Sequence, residues 1–276
     1  MNWVIMPYVG NHNQTEQAVY DVLDQSLPNV HLLLIQQGGD PVPIISIETP
    51  RVHRWKHDPP LPSLSATWNR ALKMVWEAGE THAWVVNNDV RLHKDTYKEL
   101  ICVLASEDAL FVSAVGVTPE QFDPTADVTL GLYQNTHGRE GAVYPTQIAK
   151  GGPDFSCFVI TKACHDQYPF DEGCQPAYLE DLDLHRRLML DGYREKIFSV
   201  NLPFLHYASG TLKAMTPEKR AKWEERIGAG SRAHYRAKWG GDCNQERYAR
   251  PFDPTSEQDH VTTPELQHGL HTHDQD

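Results

Sequence analysis

Four short stretches carry side chains whose types and spacing could do chemistry. The first is HAWVVNNDV, where an apolar run over 83–86 gives way to Asn87, Asn88 and Asp89. At the carboxyl edge of an open α/β sheet such groups border the ligand crevice. A carboxylate flanked by amides can hold a hard divalent cation through oxygen while ligand phosphates complete its shell. A turn that caps the next helix is the structural alternative. The second is YLEDLDLHRRL, in which Glu180, Asp181 and Asp183 open a helix-like run. Acidic residues there gain from the helix dipole, and a carboxylate held near a hydroxyl can act as general base. Asp181 is assigned the base and Glu180 the acceptor contact. Asp183 is read as structural, at pairing distance from Arg186 along a helix.

The third is His206, which follows the apolar NLPFL and precedes a Gly turn. A neutral imidazole there can give a nitrogen ligand to the cation held by Asp89. The fourth is RAHYRAKWGG, which gathers Arg232, Arg236 and Lys238 with Tyr235 and Trp239. Cations and a flat ring could neutralise a diphosphate and stack on a base. The alternative is a Trp that anchors a terminal helix to the core.

The elements that must position these groups follow from apolar periodicity. Strands are expected over 3–9, 30–36, 83–87, 109–117, 156–161 and 197–205, with a short one over 44–47. Helices are expected over 15–25, capped by Thr15, and over 65–78, 94–105 and 179–190. One or two more are expected between 217 and 239. Residues 51–62, rich in His, Pro and Trp, read as loop. The strand–helix alternation with continuous apolar strands indicates a mostly parallel sheet covered by helices. Residues 118–150 read as a long loop, of the kind that is usually functional.

Composition limits the functions. The 276 residues carry 25 Lys and Arg against 37 Asp and Glu, a net charge of −12. From Pro251 onward there are six acidic residues and no Lys or Arg, so this segment is expected to be a disordered tail. The body without it is still acidic, at −6, which argues against a surface that tracks nucleic-acid phosphates. No run approaches the ~20 apolar residues of a membrane span, and no basic region precedes an apolar run at the start. The expectation is a soluble, cytoplasmic protein without integral membrane contact. The five cysteines form no CxxC pair, and Cys102, Cys157 and Cys164 read as small buried hydrophobes. Neither GxGxxG nor GxxxxGK is present.

Taken in order, WVIMPYVGN, SATWNRAL, WVVNNDV, GGPDFSCFVI, YPFDEGCQPAYLEDLDLHRRLMLDGY and LHYASGT resemble the inverting glycosyltransferases of the GT-A fold, family 2 type, over about residues 3–240. The resemblance implies a GT-A-like α/β domain over 1–208, a helical extension over 209–250 and the tail over 251–276. It implies a nucleoside-diphosphate sugar as donor and Mg²⁺ or Mn²⁺ held by Asp89 and His206. Pro7 and Tyr8 would open the nucleotide site, Asn69 and Arg70 would border it, and Asn87 and Asn88 would stand in the cation motif. The KWGG ending, with Lys238 and Trp239, resembles terminal segments of some members. Glu180 and Asp181 would form the acidic pair that contains the base. Two positions depart from the family pattern. Asn replaces Asp at the first two places of the cation motif, and the second strand ends in Gln36-Gln37-Gly38 rather than an acidic residue.

The acceptor classes left open are a glycan, a small molecule and a modified DNA base flipped into a pocket. Related small transferases occur in bacterial viruses, in which case the compartment is the host cytoplasm. A metal-dependent nucleotidyltransferase is the competing enzyme class, though VGNHNQT is a poor phosphate loop. A weakened sugar-nucleotide-binding module on the same fold is the competing non-enzyme.

Overall fold

The computed structural model describes residues 1–10, 12–37, 49–126, 128, 143–145, 153–207 and 215–257. Among the described residues, nine strands form one sheet. They are β1 (Asn2–Tyr8), β2 (Val30–Gln36), β3 (Val52–Lys56), β4 (His82–Val86), β5 (Val90–Arg91), β6 (Phe111–Val117), β7 (Val143–Pro145), β8 (Cys157–Thr161) and β9 (Ile197–His206). Their order is β3-β2-β1-β4-β8-β6-β9-β5, with β7 also on β9. The helices are α1 (His12–Leu23), α2 (Leu64–Glu77), α3 (Thr96–Ser106), α4 (Lys162–Gln167), α5 (Glu180–Leu190), α6 (Pro217–Ile227) and α7 (Ala233–Trp239), the last two joined by a π-turn at Gly228–Arg232.

The strands alternate between two cores. On β1, Val4, Met6 and Tyr8 face the side covered by α1 and α3, where Val19, Val22, Leu100 and Val103 pack. Ile5 faces the other side, with Trp68, Leu72 and Val75 of α2 and Leu184 and Leu188 of α5. β2, β4 and β8 divide their residues in the same way. Burial on both faces explains why these strands read as unbroken apolar runs.

The GT-A-like α/β arrangement with a helical C-terminal segment is present, and the sheet is mixed. β3, β2, β1 and β4 are parallel. β8 then enters antiparallel to both β4 and β6, β6 runs parallel to β9, and β5 and β7 pair antiparallel to β9. Apolar runs report burial and not direction, so the reversal had no signal in the sequence. Three further expectations are corrected. Residues 52–56, expected as loop, form the edge strand β3, whose polar VHRWK pattern suits a half-exposed edge. α1 begins at His12, so Thr15 is a buried interior residue and not a cap. Cys102 is exposed, while Cys157 and Cys164 are buried, and all five cysteines are free. The strand expected over 44–47 lies outside the described residues, as do most of 118–150 and residues 258–276. Within the expected tail, residues 254–256 form a 3₁₀ turn, and Glu257 bridges to Tyr248.

The curl of the sheet builds the site. In a flat sheet β5 would lie four strand spacings, about 19 Å, from β4. Only three residues join them, which span at most about 14 Å between Val86 and Val90. The far edge therefore folds back to meet the end of β4. A register shift between β6 and β9, after Ser113↔Ser199 and before Val115↔Pro203, marks the bend.

Candidate active site

The linker formed by the β4–β5 turn carries Asn87, Asn88 and Asp89. Asn87 N–H donates to the Ser156 carbonyl at 2.9 Å, so the β4–β8 ladder runs one residue past the strand. The Asn88 amide donates to Thr15 Oγ1 at 2.8 Å, tying the linker to α1. Arg91 pairs with Asp21 of α1 at 2.7 Å, which holds β5 down on the same helix. Val90 pairs with His206 across the β5–β9 ladder. That register sets Asp89 Oδ1 3.5 Å from His206 Nε2, with side chains 9% and 24% exposed. Ser156 Oγ lies 3.4 Å from the imidazole nitrogens. The two residues read from the sequence as partners, 117 positions apart, are thus brought together by the curl of the sheet.

Glu180 and Asp181 open α5 as expected. Tyr178 and Leu179 before them have φ of 73° and 71°. Two successive non-glycine residues in the left-handed region cost about 1–3 kcal/mol each and persist only where the surroundings over-determine them. Those surroundings are visible. Ser231 N–H donates to Gln175 O at 2.8 Å, Ser231 Oγ donates to Ala177 O at 2.6 Å, and Leu64 N–H donates to Pro176 O at 3.0 Å. A Cβ on Gly230 would stand 2.0 Å from the Gln175 carbonyl, so only glycine admits this contact. The C-terminal segment thus props the loop that presents the acidic pair.

The environments of the two carboxyls differ. Glu180 is buried and its Oε2 finds no hydrogen-bond partner among the described residues. Burial, then the charge of Asp181, pushes its pKa well above the ordinary value. Asp181 is half-buried and accepts the Leu182 N–H at 2.8 Å. Burial raises its pKa, backbone N–H groups oppose that, and the charge of Asp154 adds to the rise. The pair therefore favours a protonated Glu180 beside an Asp181 that ionises above the usual carboxylate range.

Asp154 was not singled out from the sequence, because a lone Asp after Gly-Gly-Pro reads as a turn residue. Its Oδ1 accepts the Ser156 N–H at 2.8 Å, and its own N–H donates to Ser113 Oγ at 3.2 Å. A Cβ on Gly116 would lie 2.6 Å from its Oδ2 and 3.7 Å from the His206 Cβ. Asp154 therefore links the two halves: it touches the Ser156–His206–Asp89 group and acts electrostatically on Asp181.

The other expected residues divide. Pro7 and Tyr8 end β1 beside Ile35 and Gln36, and the β1–β4 register carried two residues further brings Pro7 level with Asn87. Asn69 is turned to a positioning task. Its Oδ1 accepts the Phe170 N–H at 2.9 Å and contacts His165 Nε2 at 3.1 Å, and its Nδ2 donates to Phe170 O and Glu172. Arg70 is exposed on α2.

Lys238 and Trp239 are a correction. Lys238 Nζ lies 2.6 Å from both Asp171 and Asp183, and the fully buried Trp239 donates its indole N–H to Asp183 at 3.0 Å. Both are committed to anchoring the last helix on α5, so neither faces a nucleotide. Asp183 is structural, as expected, but its helix partner is Arg187 at 2.8 Å rather than Arg186. Arg186 instead lies over the Trp239 ring, 4.9 Å from its centroid.

Among the described residues, no three His, Cys, Asp or Glu side chains are grouped to hold a metal ion. Asp89 and His206 supply two donors. Neighbouring donors of an octahedral shell with bonds of about 2.1 Å stand about 3 Å apart, close to the observed 3.5 Å. The spacing of the pair fits two neighbouring ligands of a divalent cation.

No protein-family model and no curated protein matches the chain. Solved structures do. Residues 1–349 of S. aureus TarS, in complex with UDP-GlcNAc, match at 13% identity and a TM-score of 0.54, over 83% of this chain and 66% of that one. A longer S. aureus TarS matches at 15% identity and 0.52, over 86% and 45%. The mannosyltransferase PcManGT from Pyrobaculum calidifontis, in complex with GDP-Man and Mn²⁺, matches at 14% identity and 0.53, over 82% and 62%. The chain spans less than two thirds of the length of each of these structures. At such identities the shared property is the fold, a GT-A-like α/β architecture that occurs here in proteins solved with nucleotide sugars.

Proposed function

We propose that the chain is an inverting glycosyltransferase that moves a sugar from a nucleoside diphosphate to an acceptor hydroxyl. The observation that carries this reading is that Asp89 and His206 stand 3.5 Å apart, with Asp154 joined to His206 through Ser156 and acting by its charge on Asp181. A displacement at an anomeric carbon needs a grip on the leaving diphosphate and a base for the incoming hydroxyl, and these two groups are suited to those tasks.

Asp181 accepts the proton of the acceptor hydroxyl as its oxygen bonds to the anomeric carbon. The bond to the diphosphate breaks, the diphosphate departs with the electron pair, and the carbon inverts in one displacement. Burial and the charge of Asp181 push the Glu180 pKa well above its ordinary value, which favours its protonated form beside Asp181. Asp89 and His206 would hold Mg²⁺ or Mn²⁺, which when bound supplies positive charge to the leaving diphosphate. Asn88, tied to Thr15, and Asn87, tied to Ser156, fix the linker that aims Asp89. Pro7 and Tyr8, at the end of the neighbouring strand, line the nucleotide side of the crevice.

The test is turnover. UDP- and GDP-sugars are incubated with the chain and Mn²⁺ or Mg²⁺, with mixtures of glycan, small-molecule and hydroxymethylated-base acceptors. Nucleoside diphosphate release and product mass are followed, and the anomeric configuration is read by NMR. An inverted glycoside supports the reading, and a retained one refutes it. Binding of a nucleotide sugar without any transfer would favour a binding module, which the Asn residues at 87 and 88 and the two-donor cation pair also suit.

A further inference from the structure

We infer that Asp154 is the group that grips the hydroxyls of the transferred sugar, and so sets which donor sugar is accepted. This rests on the glycosyltransferase reading above. In a single displacement the leaving diphosphate and the base stand on opposite sides of the anomeric carbon, so the sugar ring must lie between the Asp89–His206 pair and Asp181. Asp154 adjoins both: it is joined to His206 through Ser156, and its charge acts on Asp181.

The side chain is oriented for that task. Oδ1 is occupied by the Ser156 N–H at 2.8 Å, which fixes the carboxylate plane. Oδ2 points over Gly116, where a Cβ would come within 2.6 Å. Among the described residues no hydrogen-bond donor and no cation is paired with Oδ2. A half-buried carboxylate whose Oδ2 meets no cation among the described residues, and whose charge disfavours the charge of another carboxylate, is not explained by folding alone. What such a group can do is accept hydrogen bonds, and a sugar ring offers hydroxyl donors. The absence of a side chain at Gly116 leaves the room in which the carboxylate meets them.

Binding of UDP, GDP, UDP-GlcNAc, UDP-Glc and GDP-Man to the full chain with Mn²⁺, by calorimetry, tests this. The readout is how much tighter each nucleotide sugar binds than its own nucleoside diphosphate. Asp154→Asn keeps an acceptor for the Ser156 N–H but removes the charge. For the sugar that the wild type prefers, that advantage should fall by about 10- to 100-fold, the worth of a hydrogen bond to a charged group, while UDP and GDP bind as before. Gly116→Ala, which crowds Oδ2 without altering Asp154, should reduce the same advantage more mildly. Equal weakening of nucleotide and nucleotide sugar would place Asp154 on the nucleotide or cation and overturn the inference. An unchanged advantage in Asp154→Asn would also overturn it and leave the glycosyltransferase reading intact. A wild-type chain that binds none of the five would sink both.

Discussion

The indole N–H of Trp239 donates to Oδ1 of Asp183 at 3.0 Å, and the Lys238 ammonium reaches the same oxygen at 2.6 Å. Asp183 is fully buried on α5, two residues after Asp181. The last helix thereby fixes the rotation of α5 about its axis, and with it the direction in which the candidate base points. Asp171, which pairs with both Lys238 and His234, ties the preceding loop into the same network.

Removing the cation from this network should be costly. Lys238→Met keeps the aliphatic stem but leaves Asp171 and Asp183 short of their shared partner. Breaking a buried pair from one side typically costs about 3–5 kcal/mol. Urea denaturation of the variant should show a loss of that order. A loss below about 1 kcal/mol would mean that Arg187 alone suffices for Asp183.

Asp171 makes a separate prediction about acid. Burial works against its charged form, but hydrogen bonds from Lys238, His234 and the Gly173 N–H, with the charge of Lys238, hold its pKa at about 2, against an ordinary 3.8. The folded value is depressed, so the unfolded chain binds the proton more readily. The resulting stability is present above pH about 4 and is lost as pH falls toward 2. Its size is about 2 kcal/mol. Unfolding free energies measured from pH 6 to pH 2 should fall more steeply in the wild type than in Asp171→Asn. Parallel curves would refute the assignment.

The residues show where sequence is a good guide and where it is not. Strand β2 falls on its expected bounds, Val30–Gln36, and helices α6 and α7 fall within the expected 217–239, because apolar runs and periodicity are local signals. Strand β3 was missed because an edge strand with one face in solvent has no apolar run to announce it. As candidates, Asp89, His206 and Asp181 were legible because each ends or begins an apolar element, where a polar side chain stands out. Asp154 was not, since its significance depends on Gly116 of another strand, a relation that no spacing along the chain expresses. Lys238 and Trp239 drew the wrong expectation for a similar reason. A basic residue beside an aromatic one is as well suited to a buried carboxylate as to a nucleotide, and only the packing tells which it meets.

The cation pair has a direct test. Mn²⁺ should tighten binding of UDP or GDP to the wild type, and a chelator should reverse this. In Asp89→Ala the metal effect should vanish while the thermal unfolding midpoint stays within a few degrees. His206→Ala, which leaves Asp89 in place, should retain part of it. Binding that is indifferent to metal in the wild type would remove the cation from the mechanism, and an intact effect in Asp89→Ala would move it elsewhere.

The acidic pair gives the most discriminating measurement. Asp181→Asn preserves shape and removes the base, so transfer should fall by about 10²–10⁴-fold. Nucleotide-sugar binding should hardly change, because the loss lies in the chemical step. Only the ionised form of Asp181 can accept a proton, and burial and Asp154 raise its pKa. The rate should therefore climb with pH through a value above the ordinary 3.8 of an aspartate, and the climb should be absent from the residual activity of Asp181→Asn. Burial and the charge of Asp181 push the Glu180 pKa well above its ordinary value and so favour its neutral form. Glu180→Gln mimics that form and should keep transfer within a few-fold of the wild type. If instead Glu180→Gln is inactive and Asp181→Asn is not, the proton goes to Glu180 and Asp181 is the group that tunes it. If both variants transfer normally, the two carboxyls serve only the start of α5, and the displacement has no base at this edge of the sheet.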